Sequence, residues 1–263
     1  MSIKNEQFLK DLQPFARMTV VPGVTVGDLN FTSAQSVFST GYIRPSADNL
    51  FAANAEVDMF QAAIGDNGQG LAAGQIMSRG QTNWLDSAGR LPANEVFVGI
   101  RCLFSLYRHS NSSALLTAGA SFALTAGVGS VQAFVPSVET LYELSKMFSW
   151  EYQTGDGIIR NSGPVSGYPQ GGGVWEAPLQ NIAPAVLAAQ GAVAVQNGTP
   201  AADLARELAI PFMFLPNINT RVKIKCGSAI GTTAGTFLIS GITRADYLAF
   251  RQTFQGYKLT MPV

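Results

Sequence analysis

Val96, Val98, Ile100, Cys102, Phe104 and Leu106 occupy alternate positions of one uninterrupted run, with Phe97, Gly99, Arg101, Leu103, Ser105 and Tyr107 between them. A period of two puts the first set on one face of an extended strand and the second on the other, so the chain builds a sheet here and buries its wholly apolar face. The mixed face is expected against another layer, a loop or a partner. A second run repeats the pattern. Val222, Ile224 and Cys226 alternate with Arg221, Lys223 and Lys225, giving a strand with one buried face and one wet, basic face.

Further β-type runs, separated by Gly, Pro, Asn and Ser, cover residues 19–26 (broken at Pro22-Gly23), 36–43, 56–61, 150–153 and the proline-bounded 211–217, with weaker ones at 121–125 and 130–135. Residues 236–242 are expected as the antiparallel partner of 221–226, across the small-residue turn at 227–235. With no internal repeat and no alternation with long helices, the pattern predicts an antiparallel all-β sandwich.

Helical spacing appears in three places. Over residues 2–15, Phe8, Leu9, Leu12 and Phe15 form a stripe that Pro14 ends. Over 138–147, Leu141, Leu144 and Phe148 form another, with Ser137 as N-cap, and 201–209 is a short helix after Pro200. The division expected is a helical arm at 1–17 and a sandwich at 18–263. The glycine-dense stretch at 154–175 reads as an exposed excursion, because Gly155, Gly157, Gly163-Pro164 and Gly171-Gly172-Gly173 interrupt regular structure. Tyr152, Tyr168 and Trp175 stand among these glycines as contacts for a neighbouring copy.

Groups able to do chemistry are sparse: one histidine and two cysteines in 263 residues, with 13% charged against 47% hydrophobic residues. Lys plus Arg and Asp plus Glu both number 17, so no net field steers the chain to nucleic acid. His109 precedes the turn-like Ser110-Asn111-Ser112-Ser113 and reads as a loop histidine, which leaves no triad or zinc site. Glu56 with Asp58, and Glu139 with Glu143, read as solvated faces and not as paired catalytic carboxylates. Gly171-Gly172-Gly173 lacks the order of a phosphate loop, and Asp66-Asn67-Gly68 lacks the later ligands of a calcium loop.

Arg221, Lys223 and Lys225, with Arg244, Arg251 and Lys258, could meet nucleic acid or anionic lipid, but an ordinary wet strand face explains them more simply. Cys102 and Cys226 are expected as buried free thiols. No catalytic, cofactor-binding or metal-ligating residue is predicted. The start has no charged segment followed by an apolar one, so synthesis in a cytoplasm is expected. No apolar run reaches the ~18 residues of a membrane span.

Three stretches together resemble viral jelly-roll coat proteins, particularly those of tailless icosahedral bacteriophages. They are Gly65-Asp66-Asn67-Gly68-Gln69-Gly70 leading through Thr82-Asn83-Trp84 to Leu91-Pro92-Ala93-Asn94 and the long strand; residues 211–217 with the alternating 221–226; and Gly241-Ile242-Thr243-Arg244. The resemblance implies an antiparallel jelly-roll β-sandwich with an N-terminal helix and one or two inserted short helices, the alternative being two compact jelly rolls. It implies a virion location and self-assembly into trimers or hexamer-like capsomers, with other capsid proteins as further partners. The N-terminal arm would reach a neighbour, an internal membrane or the genome.

The expected function is therefore structural: a non-enzymatic virion protein that forms a capsid shell, with Phe8, Leu12, Phe15, Tyr168 and Trp175 as assembly contacts. Neutral small-residue surfaces approach closely without desolvating charge. The alternative is a lectin-like module of a phage fibre or cell surface, with Trp84, Trp150, Trp175 and Tyr168 stacking on sugars.

Overall fold

Two antiparallel four-stranded sheets organise the chain. The computed structural model describes residues 10–43, 54–85, 89–110, 146–155, 157–167, 174–178, 192–196, 206–227 and 246–262. In chain order its strands are β1 (Thr19–Val21), β2 (Val24–Thr25), β3 (Asn30–Ile43), β4 (Glu56–Met59), β5 (Glu95–Ser110), β6 (Phe148–Gln153), β7 (Ile159–Pro164), β8 (Val174–Pro178), β9 (Ala192–Gln196), β10 (Arg206–Phe214), β11 (Arg221–Cys226) and β12 (Asp246–Thr260). One sheet runs β10-β5-β12-β3 and the other β4-β11-β6-β7; β1-β2 and β8-β9 are separate two-stranded pairs.

The four-stranded sheets face each other across one aromatic core, so the fold is an all-β sandwich. Phe104, Phe212, Phe250 and Phe254 come from one sheet and Phe148, Trp150, Tyr152 and Ile224 from the other. Ring pairs span the layers, with Phe148 4.7 Å from Phe250 and Tyr152 edge-on to Phe212 at 4.3 Å. Such burial and ring geometry supply the main stabilisation of a fold this size. Seven of the eight main strands contribute to this single core and β7 is paired onto β6 at the sheet edge, so they make one sandwich and not two.

Register places three connections at one end. Ile43 lies opposite Leu248, Ser110 opposite Asp246, Glu56 opposite Lys225 and Phe148 opposite Cys226. The connections β3–β4, β5–β6 and β11–β12 therefore all leave and re-enter the sandwich there.

The long alternating strand departs from its expected single buried face. Arg101 pairs with Gln255 and Gly99 with Gly256, which leaves Ile100 as an unpaired bulge. The extra residue reverses the alternation. Cys102, Phe104 and Leu106 enter the main core together with Phe97, whereas Val96 and Val98 point to the outer face and join a second cluster. Gly256 is required across the bulge, since a Cβ there would lie 1.9 Å from the Val98 carbonyl oxygen.

Several other expectations are corrected. Strand β11 is flanked by β4 and β6, so both its edges are taken; residues 236–242, expected beside it, lie outside the described residues. Residues 206–209 belong to β10 and not to a helix, because Arg206 and Glu207 pair with Cys102 and Arg101. The excursion at 154–175 contains β7, which folds back on β6 with Trp150 opposite Gly163, and the start of β8. His109 is in β5 opposite Tyr247 and not in a loop.

Of the N-terminal helix, residues 10–12 are helical and Gln13–Phe15 form a 3-10 turn. Of the helix at 138–147, only residues 146–147 are described, and they are helical. The strands expected at 121–125 and 130–135 lie outside the described residues.

Candidate assembly surface

Residues 10–29 form a clasp over the outer face that the β5 bulge turns outward. Leu12, Val20, Val26 and Leu29 bury against Val96, Val98, Tyr257 and Leu259, with Phe15 partly buried beside them. Backbone bonds tie the turn to the hairpin: Gly27 N–H donates to Ala16 O and Val26 N–H to Met18 O, both at 2.9 Å. Thr25 donates from its N–H and hydroxyl to Asp28 Oδ2, at 2.8 and 2.7 Å, which holds the Asp28 carboxyl below its ordinary value. The Tyr257 hydroxyl donates to Asp11 Oδ2. Burial pushes the Tyr257 hydroxyl pKa upward, and the Asp11 carboxylate adds to that shift.

Leu12 and Phe15, expected as assembly contacts, thus pack on their own chain. Trp175 stands in β8 opposite Val195 of β9, while Phe8 and Tyr168 lie outside the described residues.

The basic strand does not present a basic surface. Lys223 Nζ lies 2.8 Å from Glu56 Oε1, Arg221 Nη1 lies 3.3 Å from Asp58 Oδ2, and Lys225 Nζ lies 3.0 Å from Glu151 Oε2. Arg221 also donates from Nε to Gln153 Oε1 at 3.0 Å. Carboxylates on β4 and β6 therefore meet the three β11 cations one for one. The Lys223 ammonium holds the Glu56 carboxyl below its ordinary value, chiefly through their hydrogen bond. The same ladder accounts for both the paired carboxylates and the basic face singled out in the sequence. What could have shown this beforehand is the opposite charge of two runs sharing one period.

Other candidates are equally committed. Lys258 pairs with Glu95 at 2.7 Å, and Arg251 stacks 3.9 Å from the Phe38 ring centroid while donating to Gly80 O. Asp66 Oδ2 accepts from Ala63 N–H and Asn67 Oδ1 from Gly74 N–H, so both close their own loop. Cys102 and Cys226 are buried free thiols, and burial pushes the Cys102 pKa up to about 12. Trp84 and Trp150 lie in the core against Phe60, Phe104, Phe212 and Phe214, away from any sugar-stacking surface. Glu139, Glu143, Gly171 to Gly173 and Arg244 lie outside the described residues. Among the described residues, no group of three His, Cys, Asp or Glu side chains converges.

The connection from β4 to β5 seals the free edge of β3. Phe38 N–H donates to Asn83 Oδ1 at 2.7 Å, Asn83 Nδ2 donates to Ser36 O at 2.7 Å, and Thr82 Oγ1 donates to Phe38 O at 3.1 Å. Farther along, Tyr42 N–H donates to Gln69 O at 2.9 Å. Gly70 permits that approach: its φ is +80°, and a Cβ would sit 1.8 Å from Tyr42 O. Side chains here take the place of a ninth strand and block edge pairing. Sequence periodicity does not reveal such residues, because they are irregular in spacing.

Comparison with protein-family models, with curated proteins and with solved structures finds no match for this chain.

Proposed function

We propose that this chain is a jelly-roll shell protein whose copies assemble into a virion capsid. The pairing order carries the reading. Counted along the eight sandwich strands from β3 to β12, omitting β8 and β9, the first pairs with the eighth, the second with the seventh, the third with the sixth and the fourth with the fifth. One long antiparallel ribbon rolled around a core produces this order, and that is the jelly-roll plan found in capsid and lectin domains.

The chemistry along the chain supports a packing role. Of the connections that share one end, residues 111–145 carry only Glu139 and Glu143 as charged side chains, and 228–245 carry only Arg244. Surfaces that will be buried between copies avoid unpaired charge, since removing it from water is costly. On the face of the β4-β11-β6-β7 sheet turned away from the core, each β11 cation has an acidic partner on β4 or β6. A shell sums many modest contacts over a large area, which neutral apolar loops supply.

Size-exclusion chromatography with light scattering, followed by electron microscopy, tests the reading. Discrete oligomers or closed shells are expected. A monomer across the accessible concentration range would overturn it.

A further inference from the structure

At the end of the sandwich away from the three shared connections, polar side chains stand where core residues would. Val37 of β3 and Phe97 of β5 belong to the main core, and Gln35 and Glu95, at the next inward positions of the same strands, share their face. Lys258 of β12 lies directly opposite Phe97 and shares it too. Trp84, Leu85, Arg90 and Leu91 of the β4–β5 connection line the other side, and a cavity of about 400 Å³ lies between, a volume in the range of small-ligand pockets. Gln35, Leu85 and Arg90 are exposed, so the cavity reaches water, while Trp84, Val37 and Phe97 give it a buried apolar wall.

We infer that this cavity binds a small organic carboxylate with an apolar body, a role independent of the shell reading. The polar groups left over in it are chiefly donors. Trp84 packs against Phe60 and Phe214 and is 3% exposed, yet its buried Nε1–H has no acceptor, a state folded chains rarely leave standing. Arg90 has no ion-pair partner among the described residues. The carboxylate in the lining, Glu95, is neutralised by Lys258 at 2.7 Å, and the Asn83 amide is spent on Phe38 N–H and Ser36 O. A neutral ligand oxygen answers the indole but not the guanidinium. A carboxylate answers both, through charge-assisted hydrogen bonds, and its apolar remainder lies against Val37, Phe97 and Leu91.

Titration of the full chain with 3-phenylpropanoate, followed by calorimetry and NMR, tests this, with 3-phenylpropanamide as the neutral counterpart. The acid is expected to bind saturably and at least about tenfold more tightly than the amide. Arg90→Gln, a change at an exposed position, should abolish most of that preference, whereas Arg79→Gln, exposed and outside the cavity lining, should keep it. A measurement on the wild type is independent of the variants' folding: the acid should shift the indole N–H resonance that Trp84→Phe deletes. Absence of saturable binding, equal binding of acid and amide, an unaltered preference in Arg90→Gln, or an unmoved Trp84 resonance overturns the site.

Discussion

Lys223 Nζ lies between two carboxylates of β4, 2.8 Å from Glu56 Oε1 and 3.8 Å from Asp58 Oδ1. Because Lys223 directly faces Asp58 in the register while Glu56 faces Lys225, its 2.8 Å bond to Glu56 is a diagonal one. The cations and acids interlock as a ladder and not as isolated pairs.

The ladder makes stability depend on acid. Glu56 has a depressed pKa in the fold, so its contribution is complete above the unfolded carboxyl value of about 4.3 and disappears as pH falls through the lower folded value. Glu56→Gln should therefore lower stability at pH 7 by up to about 1 kcal/mol, the scale of partly exposed pairs. Urea unfolding of variant and wild type should converge toward pH 2. A gap that persisted unchanged at pH 2 would exclude the ion pair as its cause.

Both thiols should be silent in the native protein. Cys102 and Cys226 are buried, and a Cys102 pKa near 12 leaves almost no thiolate at neutral pH. Titration with a chromogenic disulfide reagent should give no release without denaturant and two equivalents with it. Rapid native labelling of either cysteine would contradict the burial described.

Gly256→Ala should be among the most damaging small substitutions. The new methyl would meet the Val98 carbonyl 1.9 Å away, and backbone on both strands would have to move. A loss of about 1–3 kcal/mol is expected, the range for overpacking, read as a lower thermal midpoint. Equal stability would mean that β5 keeps its bulge without glycine opposite.

Tyr257→Phe removes the hydroxyl that Asp11 accepts from, and should loosen the clasp by about 1 kcal/mol. Leu12→Ala, at a buried position in the same cluster, should cost about 2–5 kcal/mol. Hydrogen exchange should speed up over residues 18–29 in both variants, with the β6 and β11 amides little altered. Uniform acceleration throughout would show that clasp and sandwich unfold together.

Much of the sandwich was legible from local pattern. The runs at 36–43, 56–61, 96–107, 150–153, 211–217 and 221–226 mark six of its eight strands, and the free, buried cysteines follow from two of those runs. Less of the surface was legible. Leu12 and Phe15 carry the right spacing for a docking helix, but spacing does not say which surface receives it. Ile159 and Ile210 carried no signal, because isoleucine in a strand reads as core until the strand is found at an edge.

By itself, the sequence determined that this protein is built of strands, that β11 has one apolar and one charged face, and that charge is scarce and balanced. These follow from a period of two and from composition, which are local or additive properties. Tertiary structure alone decided that β11 lies between β4 and β6, that Ile100 bulges and reverses the inward face of β5, and that the basic strand is neutralised. Each depends on which distant segment lies opposite, Gly256 for the bulge and Glu56, Asp58 and Glu151 for the cations. Pairing between strands far apart in the chain is set by the free energy of the whole packed core, and no window along the sequence contains it.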